Sequence, residues 1–203
     1  TNFTLNNSLG ATLSGSGFLN VTGTVTPTAG TLTTGGRLVL KSNSTSTARI
    51  ASGTGTYLSG SITQERYIPL KSTRRFSFIA SPVSQALSAA WQQQIHITGS
   101  GTGGTACPTL LAHSNGFDAT VTNAPSMYSY DASAASGSRW VANTTGTTGF
   151  TLTPGTGYRL NVRGPRTTGC SLLDGTVTAT TAVTLSATGV VSNAQKKIGR
   201  AHV

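Results

Sequence analysis

The chain has 203 residues and a net charge of +10, from 14 Lys and Arg against four acids, yet only 9% of it is charged, where an average globular protein has roughly 25%. Threonine (37), serine (24) and glycine (25) dominate, and the Lys-, Glu- and Leu-rich composition of helical bundles and coiled coils is missing. Apolar residues at 36%, with two Trp, six Phe and five Tyr, supply enough material for a core and argue against a wholly disordered chain.

In chain order, residues 1–60 read as a Thr/Gly-rich β-repeat region. Short apolar pulses (Leu5, Leu13, Val21, Val25, Leu32, Leu38 and Leu40, Ile50) alternate with turn signals such as Asn6-Asn7, Ser14 to Gly17 and Gly35-Gly36. Strand and turn repeated at this spacing predict a short β-solenoid-like or hairpin-stack region, without a strict period. Residues 61–175 carry longer strands and most aromatics, and predict an antiparallel β-sandwich. Ile62 to Ile68 is a strand ended by Pro69. Arg75 to Ala80 alternates, which predicts Phe76, Phe78 and Ala80 facing inward. Ser84 to Gln94 places Ala, Leu and Trp at helical spacing and predicts the one helix. Ile95-His96-Ile97 alternates again, and Gly99 to Gly104 reads as a flexible loop. Further strands are expected at Met127 to Tyr130, Arg139 to Val141, Phe150 to Leu152 and Tyr158 to Arg163, with Trp140, Tyr158, Leu160 and Val162 in the core. Residues 176–197 resume a Thr/Val alternation that reads as the start of a further β unit. Residues 198–203, Ile-Gly-Arg-Ala-His-Val, resemble a translated sequencing adapter and are expected to be a non-native tail.

Candidate chemistry is sparse. His96, His113 and Asp118 with a serine would compose a triad or a metal site, but no G-x-S-x-G elbow or H-E-x-x-H accompanies them, so a structural or surface His96 is expected. Asp118 and Asp131 are the acid pair a glycosidase would need, yet each reads as a turn residue. Calcium wants several oxygen ligands, and a lone acid offers a poor site. Gly99 to Thr105 lacks the Gly-Lys-Ser/Thr ending of a phosphate loop. Cys107 and Cys170 fit one bridge in an exported chain and equally two unpaired thiols. No stretch of 18 apolar residues spans a membrane. The positive charge arrives without a nucleic-acid motif. Trp91, Phe117, Tyr128, Tyr130 and Trp140 would make a sugar-stacking platform if exposed in a row. In a sandwich such residues are more often core.

An ordered set of motifs carries a resemblance. Ser61-Ile62-Thr63-Gln64-Glu65-Arg66-Tyr67-Ile68-Pro69 precedes Arg75-Phe76-Ser77-Phe78-Ile79-Ala80-Ser81-Pro82-Val83. Then come Asn115-Gly116-Phe117-Asp118, Ser126-Met127-Tyr128-Ser129-Tyr130 and Gly157-Tyr158-Arg159-Leu160-Asn161-Val162-Arg163-Gly164. Together they resemble a module of large, adhesin-like exported surface proteins of Bacteroidota, substrates of type IX secretion. That family usually has an acid between Gly164 and Arg166, where this chain has Pro165. The resemblance implies surface display outside the cell, a longer multidomain parent and no established catalytic residue. The resulting expectation is an all-β, extracellular structural or adhesive module with no catalysis, no cofactor and no metal. Its partner would be a surface glycan or another copy of itself, and neither nucleic acid nor a membrane. The alternatives are a carbohydrate-binding or glycan-processing region of a larger secreted enzyme, and a self-assembling filament subunit. The residues expected at a ligand are Trp91, His96, Phe117, Asp118, Tyr128, Tyr130 and Trp140.

Overall fold

The computed structural model describes residues 1–52, 58–72, 75–101, 113–120, 122–169, 171–174 and 181–191. Cys107, Cys170 and residues 198–203 lie outside them. The protein is all-β. Among the described residues, helical structure amounts to three 3-10 turns and the four-residue α1, Ser171–Asp174.

The N-terminal part passes three times through the same three sheets. The first pass is β1 (Phe3–Asn6), β2 (Ala11–Thr12) and β3 (Leu19–Val21). The second is β4 (Thr24–Ala29), β5 (Leu32–Thr33) and β6 (Leu38–Leu40). The third is β7 (Arg49–Ile50), β8 (Leu58–Ser59) and β9 (Ser61–Ile68). Each strand pairs in parallel with its counterpart one pass later, in the orders β1-β4-β7, β2-β5-β8 and β3-β6-β9. The register stacks like on like: Phe3 on Val25 on Ile50, Ala11 on Leu32 on Leu58, Leu19 on Leu38 on Ile62. Short apolar pulses suffice because each strand needs only one or two inward residues per pass. Corners are set by backbone geometry. Gly10 and Gly30 both hold positive φ (+80° and +76°), and a Cβ at either would run into a neighbouring carbonyl, that of Thr31 or of Asn7. Only glycine meets both demands.

A four-stranded antiparallel sheet follows, in the order β10 (Phe76–Ala80), β15 (Gly157–Asn161), β12 (Met127–Tyr130), β13 (Trp140–Ala142). Its inner face presents Ile79, Tyr158, Leu160 and Met127, all buried. Trp91 and Phe150 pack edge-on against Tyr158, with centroids 5.7 and 6.0 Å away. The pair β11 (Gln85–Ala86) and β14 (Thr151–Leu152) borders this layer. Strand β16 (Val183–Val190) runs antiparallel to β9 along its whole length. Hydrogen bonds from its Ser186 and Thr188 amides to the Gln94 and Gln85 side chains tie it to the 84–94 segment. One continuous apolar core therefore reaches from Leu5 to Leu185.

Three expectations change. Phe76 and Phe78 face outward (36% and 57% exposed), and it is Ile79 that enters the core. Trp140 is only partly buried and lies on the same outer face. Ser84 to Gln94 is not an α-helix. It forms β11 and two 3-10 turns, Leu87–Ala89 and Trp91–Gln93, broken at Ala90, whose φ of −106° and ψ of −117° are far from helical. There the Leu87 amide bonds Phe150 rather than an i−4 carbonyl, so tertiary pairing overrides the helical pattern. Ser61–Ile68 pairs with β6 and β16 rather than with the later antiparallel sheet. Val183–Val190 lies in that same sheet as the partner of β9.

Candidate functional site

The outer face of β10-β15-β12-β13 is built from the pleat. Tyr158 and Leu160 point inward, so Arg159 points out. Met127 points inward, so Tyr128 and Tyr130 point out. The register sets Phe78 opposite Arg159, Arg159 opposite Tyr128, and Tyr130 opposite Trp140. Phe78 and Trp140 sit on the two outermost strands, yet their ring centroids are 5.4 Å apart. The two rings thus meet across the sheet's outer side. Tyr130 packs on Trp140 at 5.1 Å, and Phe76 meets Tyr128 edge-on at 5.8 Å. Beneath them lies Arg159. Its guanidinium carbon is 4.3 Å from the Tyr128 ring centroid, 4.6 Å from Phe76 and 5.5 Å from Trp140. Each such contact contributes about 0.5–1 kcal/mol, more where water is excluded.

The polar atoms of this face are not consumed internally. Arg159 Nε and Asn161 Oδ1 are buried without a hydrogen-bond partner among the described residues. None of the three ion pairs of the described residues involves Arg159. Cations rim the rings. Arg139 donates to the Tyr130 hydroxyl at 3.3 Å. Lys71 donates to the Phe76 carbonyl at 3.3 Å and to Ser77 Oγ at 2.8 Å. Burial, and then the neighbouring charge of Arg75, lower the Lys71 pKa. The acid at this rim is Asp131, whose carboxylate accepts from the amide and hydroxyl of Ser133 at 2.9 and 2.6 Å.

A second polar cluster is buried behind the inner face. Asp118 is fully enclosed. Arg166 grips it through two hydrogen bonds, Nη2 to Oδ1 at 2.6 Å and Nη1 to Oδ2 at 2.8 Å. The Ile97 amide (2.9 Å) and Gln92 Nε2 (3.3 Å) also donate to Oδ2. His96 Nδ1 stands 3.5 Å from Oδ1, and neither ring nitrogen has a hydrogen-bond partner. Burial alone would raise the Asp118 pKa. The contacts to His96, Arg166 and Ile97 outweigh it and hold the carboxyl at about 2. No hydroxyl or thiol of the described residues hydrogen-bonds His96. The cluster ties three loops together: 92–97, 115–118 and 164–168. His113 lies apart from it and pairs with Asn123 Oδ1 at 3.2 Å.

The seven residues expected at a ligand therefore divide. Trp91, His96, Phe117 and Asp118 are interior. Tyr128, Tyr130 and Trp140 share the outer face, joined by Phe76, Phe78 and Arg159, which the sequence reading left out of the set. The available signal was Arg159 itself, a cation between two apolar residues that fixes which positions of β15 face water. Asp118 is no turn residue but a buried anchor. Among the described residues no group of three His, Cys, Asp or Glu side chains could hold a metal ion, and no helix is long and apolar enough to cross a membrane. No protein-family model, curated protein or solved structure matches this chain.

Proposed function

We propose that this chain is an extracellular, non-catalytic adhesive module that holds a glycan on the outer face of β10-β15-β12-β13. The carrying observation is the aromatic face: Phe76, Phe78, Tyr128, Tyr130 and Trp140 gathered on one solvent side of a sheet, over Arg159. A cluster of large rings partly exposed on the solvent side of a sheet is the kind of patch that marks a binding surface. Pyranose rings present flat C–H faces that stack on such side chains. The preformed ring contacts reduce the ordering that binding requires. The three parallel ladders read as a short, stiff solenoid stalk beneath that face, and the resemblance to exported surface modules agrees with this arrangement.

The test is binding of the full chain to a panel of immobilised polysaccharides, repeated with Phe78→Ala/Trp140→Ala. Retention on at least one polysaccharide, lost in the double variant at unchanged melting temperature, is the expected result. Failure to bind any member of the panel would sink the reading. So would a concentration-dependent dimer abolished by the same double variant, which would assign the face to a second copy of the chain.

A further inference from the structure

We infer that the glycan held on this face is anionic, its pyranose rings carrying carboxylate or sulfate groups. The inference rests on the glycan reading above and adds the substrate class. Its first support is Arg159. Its guanidinium stands among the rings with no hydrogen-bond acceptor from the described residues, and its Nε is buried without a partner there. A neutral sugar leaves that charge uncompensated. A carboxylate or sulfate at the edge of a stacked ring compensates it with a charge-assisted hydrogen bond.

The second support is the charge distribution. Lys71 and Arg75 stand at the Phe76 end of the face and Arg139 at the Tyr130 end. Each has contacts within the chain, and each still contributes a positive field over the rings. Three of the four acids are already engaged. Glu65 is paired with Lys41 on the N-terminal sheet, and Asp118 is enclosed by Arg166 on the far side of the sheet. Asp131 stands at the rim, engaged by Ser133. Positive charge at both ends of an aromatic strip matches a chain that repeats ring and anion along its length, and it favours encounter with that chain. Single-stranded nucleic acid shares the pattern of flat rings and repeated anions, and it serves as the competing outcome.

The experiment is calorimetric titration of the full chain with polygalacturonate, heparin, dextran and an oligothymidylate, at about 50 and about 500 mM salt. Polygalacturonate separates carboxylate from the sulfate of heparin. At least one of the two is expected to bind about tenfold or more tighter than dextran at low salt, with the preference collapsing at high salt. Arg75→Gln/Arg139→Gln, at exposed positions with little effect on folding, is expected to remove about fivefold or more of that preference and to leave dextran binding within about twofold. Arg159→Gln should do the same, with circular dichroism melts confirming the fold. Dextran binding as tight as either polyanion at low salt overturns the inference while leaving the glycan reading intact. Oligothymidylate binding tighter than both polyanions also overturns it, as does a preference insensitive to both substitution sets. No binding to any polysaccharide removes the underlying reading as well.

Discussion

Arg166→Gln tests how the three loops behind the sheet are held. In the wild type, Asp118 is fully enclosed and receives two charge-assisted bonds from Arg166, at 2.6 and 2.8 Å. The substitution leaves the carboxylate buried with the Ile97 amide and Gln92 as hydrogen-bond donors and His96 Nδ1 3.5 Å away. Removing one partner of a buried ion pair costs about 3–5 kcal/mol, because the remaining charge is uncompensated. For a chain of this size that lowers the melting temperature by roughly 6–20 °C. The pH dependence has a defined sign. Wild-type Asp118 has a folded pKa of about 2, below its ordinary value of 3.8. Its contribution, about 2 kcal/mol, is therefore present above pH 3.8 and lost as pH falls from 3.8 toward 2. In the variant the lowering contribution of Arg166 is gone, so the folded pKa rises from about 2 and less stability is lost on acidification. The gap between wild type and variant should therefore shrink on acidification. Thermal melts at pH 7 and pH 3 measure it. A gap below about 2 °C at pH 7, or one that is equal at both pH values, would refute the assignment of Asp118–Arg166 as the anchor of the 92–97, 115–118 and 164–168 loops.

Leu160→Ala removes a fully buried side chain from the inner face and is expected to cost about 2–5 kcal/mol in urea unfolding. A loss below about 1 kcal/mol would contradict the packing described. Gly30→Ala and Gly15→Ala differ in a useful way: both glycines hold positive φ, but a Cβ at Gly30 collides with the Asn7 carbonyl while one at Gly15 meets open space. The first should therefore destabilise clearly more than the second, whose strain costs about 1 kcal/mol. Equal melting temperatures would show that the stacked corners are not close-packed.

The all-β class was legible in the Thr, Val and Leu pulses and in the glycine and asparagine turns between them. The inward pair Tyr158 and Leu160 was legible too, because Arg159 alternates with it; past the end of β15 the alternation fails, and Arg163 is buried beside Val162. The β10 register was not. Phe76, Phe78 and Ile79 are all apolar, so alternation alone cannot say which side is wet, and a preference for burying the largest rings gives the opposite answer. The 84–94 segment misleads for a related reason. Its Leu87 and Trp91 do turn inward at helical spacing, but the backbone pairs with strands rather than with itself. The Asp118–Arg166 pair joins residues 48 positions apart, and no local pattern announces such a contact. Parallel stacking of β1 to β9 is likewise non-local. The sequence marks each strand, while the pairing one pass later follows from burying every pulse against the next.

Strand β15 shows why the core and the recognition face can be altered separately. Tyr158 and Leu160 engage Trp91 and Met127 below the sheet, and Trp91 opens the turn that carries Gln92 to Asp118. Arg159, between them, engages the rings above it. Period-two alternation thus places a core residue and a residue of the proposed binding face next to each other in sequence, on opposite sides of one backbone. The buried side fixes the strand, and the strand fixes where Arg159 stands. A single ring stacking on a sugar is worth little, so affinity on such a face depends on several contacts being in place before the ligand arrives. The rigid inner packing supplies that order, and for this reason substitutions of Phe78 or Trp140 should change binding while those of Leu160 or Arg166 should change stability first.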